Sequence, residues 1–326
     1  MFMFRARSWP KLSTLSTSAK AGLTVWSGML HVVAEPARID RAIKRLHSAL
    51  QGVPARGVRL TWRGGELRTT IHWAADDHFW WAVEPRHARD ALVLGHAPEP
   101  PGRRESITCE INLPRAGADR KVAGIIAADE DGGLYLAHSG RLSKSGFREF
   151  LADGVWRPLR WPDDEETEAL IVAPLDSPRL TRLLGRFVEQ VRRFKAGAIP
   201  DPQTALCVDP STRASAAEAC DRSLVDVALY EELSKRGLFG GTTDLFSRPD
   251  KRPQPLFALV ANGQPEELAL AVGSLSLAAA RNGPDVKPIL VAPAELDALE
   301  RLPFACVRYH WRGARAVFDG LDDALA

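Results

Sequence analysis

The sequence predicts an α+β chain, with an N-terminal mainly-β domain bearing flanking helices and a C-terminal α/β domain. Three observations lead there. The length, 326 residues, exceeds the ~100–200 residues of a usual domain, so two are expected. Residues 51–175 alternate short strand-like runs with Gly, Pro and Asp turns. Beyond an aperiodic, proline-bearing stretch, the pattern changes to helix, paired strands, helix and strand, which is the order of an α/β unit. The expected parts are an extension at 1–28, the mainly-β domain at 29–197, a linker at 198–217 and the α/β domain at 218–326.

The elements follow in chain order. Residues 1–28 carry Arg, Lys and Ser but no acid, the composition of a transit peptide. The preferred reading is a start placed upstream of Met29, because MLHVVAEPARIDRAIKRLHSAL already has the pattern of folded protein. Under either reading the segment is expected to be flexible. Residues 37–50 set Ile39, Ala42, Ile43, Leu46 and Leu50 at helical spacing. GVRLTWRGGELRTTIHW alternates around Gly64 and Gly65, a hairpin signal. DHFWWAVEP, DALVLGH, ESITCEINLP, KVAGIIAADEDGGLYLAHSG and ALIVAPL supply further strands. A long helix closes the domain, with Leu180, Leu183, Leu184, Phe187, Val188, Val191 and Phe194 as one stripe. Ser177 is its expected N-cap, and Arg182, Arg186, Arg192, Arg193 and Lys195 its exposed sides. After the linker come a helix at 218–236, strand TTDLFS, strand PLFALVA, helix PEELALAVGSLSLAAARNG, strand KPILVAP, helix AELDALERL and strand CVRYHW.

Composition narrows the function classes. Hydrophobic residues make up 45% and charged residues 26%, as in ordered globular proteins. Lys and Arg number 43 against 41 Asp and Glu, a net charge of +2. That excludes a global polycation, so any nucleic-acid affinity must come from a local patch. The four cysteines show no CxxC spacing and read as free thiols. No apolar run approaches the ~20 residues of a membrane-spanning helix. A cytoplasmic protein without a membrane partner is expected.

Metal-dependent phosphodiester cleavage uses carboxylates to hold a hard cation and a lysine to position or polarise water. In this chain LVDVAL (224–229), TDLF (243–246), LFALVA (256–261), VGSL (272–275) and YHWRG (309–313) follow one another in order. These stations resemble the C-terminal domain of an uncharacterised bacterial two-domain family with a restriction-endonuclease-like fold. The resemblance implies an Asp on one strand and an (Asp/Glu)-x-Lys on the next. Asp244 keeps the place of the first acid, but Ala258 stands where the resemblance puts Glu, Val260 where it puts Lys and Ser274 where it puts Gln. Asp244 alone cannot assemble a Mg2+ site. The motif is degenerate.

The β domain is similar to the N-terminal module of the same group through WRGGELRTTIHW, ESITCEINLP, GGLYLAHSG and PLDSPRL. There the segment after HSG is rich in Gly and Lys; here RLSKSGFREF carries only Gly146 and Lys144.

Candidate site residues are few. Glu266 and Glu267 open the helix after PLFALVA and are the acids a relocated metal site would recruit beside Asp244, with Lys251 the nearby lysine. Acids at a helix start are equally ordinary N-terminal chemistry. Nucleic-acid contact is assigned to Arg182, Arg186 and Arg193, with Lys144 and Arg63; removing Arg182 and Arg186 should lower DNA affinity and leave stability nearly unchanged. Trp62, Trp73, Trp80 and Trp81, interleaved with Arg63 and Arg68, form either a base-stacking surface or core. His72, His78, His87, His96 and His138 lack HxH or HxxxH spacing and read as structural. GxSxG, GxGxxG and a Walker loop are missing.

The first expectation is therefore a noncatalytic protein on a nuclease-derived fold. It would be associated with nucleic acid or act as a regulatory subunit, in the bacterial defence or mobile-element setting that the resemblance implies. DNA or another protein is its candidate partner, and no metal or other cofactor is expected. The alternatives are an active nuclease using Asp244 with Glu266 or Glu267 and Mg2+, and a protein-interaction scaffold.

Overall fold

The computed structural model describes residues 29–50, 55–62, 65–86, 88–115, 117–140, 142, 146–151, 154–197, 215–238, 253–297 and 299–326. The chain is of mixed helix and sheet class, organised by three sheets. No helix among the described residues is long and apolar enough to cross a membrane.

The first sheet begins after strand β1 (Leu30–Val32) and helix α1 (Pro36–Ala49). Pro36 sits in the first turn of α1, where no N–H is needed, and Ile39, Ala42, Ile43 and Leu46 are buried on one face. Strands β2 (Ala55–Trp62) and β3 (Gly65–Ala74) pair antiparallel with Trp62 opposite Gly65, so a hairpin forms here as expected, with Gly65 in the strand instead of the turn. With β4 (Phe79–Arg86), β5 (Arg89–His96), β6 (Arg104–Ser106) and β7 (Cys109–Pro114) they form a six-stranded sheet in the order β6-β2-β3-β4-β5-β7. Trp80 and Trp81 lie on its opposite faces. Both are core, Trp81 beside Phe79 and Trp80 among Val58, Leu60, Ile71 and Val93. Trp73 donates its indole N–H to Ala97 O at 3.2 Å. The base-stacking reading of these tryptophans gives way to packing, because alternate strand positions feed two separate cores.

The second sheet is a closed barrel. Strands β8 (Gly124–Ala128), β9 (Leu134–His138), β10 (Trp156–Arg160) and β11 (Glu166–Pro174) join β1 in the order β1-β10-β11-β9-β8. A Cβ at Gly124 would run into Asn112 O of β7, so glycine there lets barrel and sheet approach. Short helix α2 (Phe147–Phe150) and long helix α3 (Leu180–Lys195) cover the junction. The apolar stripe of α3 is buried as its spacing predicts, except that the helix starts two residues late. Ser177 Oγ accepts from Arg179 N at 3.1 Å in a turn ahead of the helix, and Arg179 takes the cap position without a side-chain cap.

The third sheet belongs to the C-terminal part. Helix α4 (Ala216–Lys235) opens on a capping box in which Ser215 and Glu218 each bond the other's backbone N–H. Strands β12 (Gln254–Leu259), β13 (Val286–Pro293), β14 (Ala305–Arg312) and β15 (Arg315–Asp319) follow in sheet order, the first three parallel and the last antiparallel. Helix α5 (Pro265–Asn282) crosses from β12 to β13 on one face. Helix α4 and the short α6 (Leu321–Leu325) cover the other. The expected strand at TTDLFS lies outside the described residues, as do most residues of the expected linker. The helix expected over AELDALERL is a 3-10 turn at Leu299–Arg301.

Helix α4 serves two cores. Ala216, Cys220 and Leu224 join the barrel cluster, whereas Val225, Leu229 and Leu233 join the C-terminal sheet. Apolar residues on more than one face are what a helix packed on two sides requires.

Within the six-stranded sheet Gly95 lies directly under the Trp80 indole, and a Cβ there would overlap the ring. Gly95→Ala is expected to lower stability by about 1–3 kcal/mol, the usual cost of overpacking. A urea denaturation midpoint unchanged from wild type would show that the indole shifts freely.

Candidate functional site

Strand β12 has no solvent side, as expected of a parallel strand between two helix layers. Phe257 and Leu259 point toward α4, and Leu256, Ala258 and Val260 toward α5. Ala258 and Val260 are 1% and 0% exposed, and they pack with Ala271, Leu275 and Leu290. A carboxylate or ammonium at either position would meet methyl groups instead of water.

In open α/β sheets, ligands bind beyond the carboxyl ends of the strands, beside helix N-termini. Here the chain's own groups fill that place at β12. Glu267 turns back over the β12–α5 loop and accepts from Ala261 N at 2.9 Å and Asn262 N at 3.1 Å. Arg222 of α4 donates to the same carboxylate at 3.1 Å, and the two side chains are only 8% and 14% exposed. Asn262 Nδ2 donates to Glu218 at 2.8 Å, and the Tyr309 hydroxyl donates to Ala261 O at 2.6 Å. Glu267 thus occupies the N–H groups that a bound anion would take. Glu266, its neighbour, is exposed, so the two acids do not converge. Asp244, Lys251, Arg63 and Lys144 lie outside the described residues. Among the described residues, no group of three or more His, Cys, Asp and Glu could hold a metal ion.

A cavity lies elsewhere, where α3 and α4 meet the 3-10 turn Ala75–Asp77 and the end of β5. Its volume is about 330 Å³, and Asp77, His78, His96, Arg182, Arg186, Glu189, Arg193 and Glu231 line it with Phe150, Leu151, Leu224 and Val227. Three of the residues assigned to nucleic acid are therefore brought together. Arg182, however, is not an outward-facing cation: it reaches Asp77 Oδ1 at 3.4 Å and Glu231 Oε1 at 3.2 Å, with its side chain 16% exposed. Burial raises the Asp77 pKa, and Arg182 works against that shift. Glu189 accepts both ends of Arg192 at 2.6 Å and lies 3.5 Å from His96 Nδ1. Burial lowers the His96 pKa despite Glu189. Three arginines face three carboxylates along its lining, so the cavity offers a charge-balanced binding space.

No family model, curated protein or solved structure matches the chain. The function therefore has to be read from the site itself.

A basic feature that the sequence reading missed is on the six-stranded sheet. Arg59 pairs in register with Arg68 on β3 and with Arg104 on β6, placing three arginines in a row across adjacent strands. Neighbouring strands lie ~4.8 Å apart. Arg68 and Arg104 are exposed, and Arg59 has Glu66 at 3.6 Å. A turn at Gly64-Gly65, as the sequence suggested, would set Arg59 opposite Thr70 instead of Arg68, and nothing local pointed to Arg104. Two of the cysteines and one histidine are internal. Cys109 and Cys220 are buried thiols with pKa values pushed up to about 12 by desolvation, hence inert. His138 is buried, accepts from Gly140 N at 3.0 Å and has its pKa lowered by burial to about 4.

Two outcomes are expected. Arg182→Ala strands Asp77 and Glu231 without their shared cation and should lower stability by about 1–3 kcal/mol in urea denaturation. A variant as stable as wild type would return Arg182 to the surface role. For His138, the unfolded side chain takes a proton near pH 6.5 while the folded one resists until about pH 4. Between those values the unfolded state binds more protons, so stability falls on acidification through that window, by up to an order of 3 kcal/mol. His138→Gln should flatten this dependence, and equal slopes in both proteins would exclude His138 as its source.

Proposed function

We propose that the protein is a noncatalytic member of a nuclease-derived, restriction-endonuclease-like lineage. It acts as a nucleic-acid-associated or regulatory subunit in a bacterial defence or mobile-element system. The observation that carries this reading is the burial of Ala258 and Val260 in an apolar layer, where the resemblance places an acid and a lysine. The described residues around β12 do not fit a divalent cation, since hard cations need oxygen ligands and that face supplies methyl groups. Relocation of the site onto the next helix finds little support: Glu267 is committed to Arg222 and two backbone N–H groups, and Glu266 points to solvent.

The binding half of the proposal rests on the arginine row Arg104–Arg59–Arg68, a local patch on a chain of near-zero net charge. Phosphate contacts of this kind release counterions and give steep salt dependence without sequence preference. The α3 arginines contribute less, Arg182 least, because the carboxylates of the cavity neutralise them.

Purified protein is expected to leave single-stranded and duplex DNA intact in Mg2+ or Mn2+. Cleavage abolished by Asp244→Ala would overturn the noncatalytic reading. Fluorescence-anisotropy titration with a single-stranded oligonucleotide across a salt series should show salt-dependent binding. In Arg68→Ala/Arg104→Ala the slope of log affinity against log salt should fall by roughly 0.7 per lost contact. Binding absent in the wild type, or unchanged in the variant, would remove DNA as a partner of this face.

A further inference from the structure

Helix α5 presents an outer face that no described element covers. Between Glu267 and Arg281 it contains no charged residue. Among the described residues, Leu270 and Leu277 are the exposed large hydrophobic side chains, at 51% and 61%. Seven residues apart, they lie on one side of the helix, with Gly273 between them. A Cβ at Gly273 would meet nothing within 4 Å, so another helix can approach closely there. Glu266 and Arg281 bound the same face at its two ends and form no ion pair among the described residues.

These positions are arranged as a palindrome. Leu270 and Leu277 are equidistant from the point between Gly273 and Ser274, and so are Glu266 and Arg281. We infer that α5 pairs with the α5 of a second copy of this chain, antiparallel and about a two-fold axis at that point. Leu270 of each copy then packs on Leu277 of the other, and Glu266 of each faces Arg281 of the other, with two pairs of each kind by symmetry. A parallel pair would set Glu266 against Glu266 and Arg281 against Arg281. The charge pattern thus selects the orientation, and it selects a self-complementary partner because a two-fold interface must match itself. A contact made by one helix per copy is smaller than the ~800 Å² per partner of a standard stable interface. The dimer is therefore reversible and forms in the micromolar range or above.

Sedimentation equilibrium of the full chain over a concentration series tests this, with thermal melting of each variant as the check on folding. The wild-type weight-average mass should climb from monomer toward dimer, and Leu270→Glu/Leu277→Glu should stay monomeric with a wild-type melting curve. Glu266→Arg alone should weaken association at least several-fold by setting arginine against Arg281, as should Arg281→Glu alone by setting two glutamates together. The double exchange Glu266→Arg/Arg281→Glu should restore it. A wild type monomeric at every concentration, or a leucine variant that still dimerises, overturns the proposal. A double exchange that stays as weak as either single variant overturns the antiparallel arrangement.

Discussion

Helix α4 is the constraint on which the rest of the structure depends. Its first half closes the barrel core through Ala216, Cys220 and Leu224, and its second half closes the C-terminal sheet through Val225, Leu229 and Leu233. Full burial of each leucine or valine is worth about 1.5–3 kcal/mol, so neither core is complete without this helix. The polar contacts around it are consistent with a shared element. Arg179 of the α3 approach bonds Asp221 of α4 at 2.9 Å and stacks on Trp311 of β14 at 3.7 Å. Arg182 ties the 3-10 turn after β3 to Glu231 of α4. Arg315 of β15 donates to Asp76 O. The N- and C-terminal parts therefore meet through packed side chains and paired charges.

That arrangement also sets the polar contacts at the two places most suited to a ligand. At the carboxyl end of β12, α4 delivers Arg222 and Glu218 into the loop, where Glu267 and Asn262 complete a closed polar network. The loop N–H groups of Ala261 and Asn262, which face the carboxyl end of β12, are satisfied internally by Glu267. In the cavity between α3 and α4, arginines stand among carboxylates, so the field that would draw a phosphate is largely cancelled. Exposed cationic charge is found instead on the six-stranded sheet, where Arg59, Arg68 and Arg104 share a face.

Much of this was legible in the residues. The stripe from Leu180 to Val191, the pairing of β2 with β3 as a hairpin, and α5 between Pro265 and Asn282 follow from spacing and turn chemistry alone. The start of α4 falls earlier than expected: the sequence reading begins the helix at 218 and leaves Ser215 in the linker, whereas Ser215 and Glu218 form a capping box that opens the helix at Ala216. Less legible was the role of the α3 arginines. Arg182 has the position of a solvated cation in a helical projection, yet α4 arrives over it from forty residues or more downstream with Glu231. A helical projection shows which side of a helix is polar, but not what will be laid against that side.

Periodicity thus specified the long helices and most of the described strands, because it reflects contacts within a few residues. Three outcomes needed the folded chain: the separation of the β domain into a sheet and a barrel, the division of α4 between two cores, and the row of arginines on three strands. Each depends on which distant segments pair and in what register, and a one-residue shift in register moves a side chain to the opposite face of a sheet. The same logic holds at β12. The apolar residues at 258 and 260 are visible in one line of sequence, but only packing against α5 makes their methyl groups part of a dry interior.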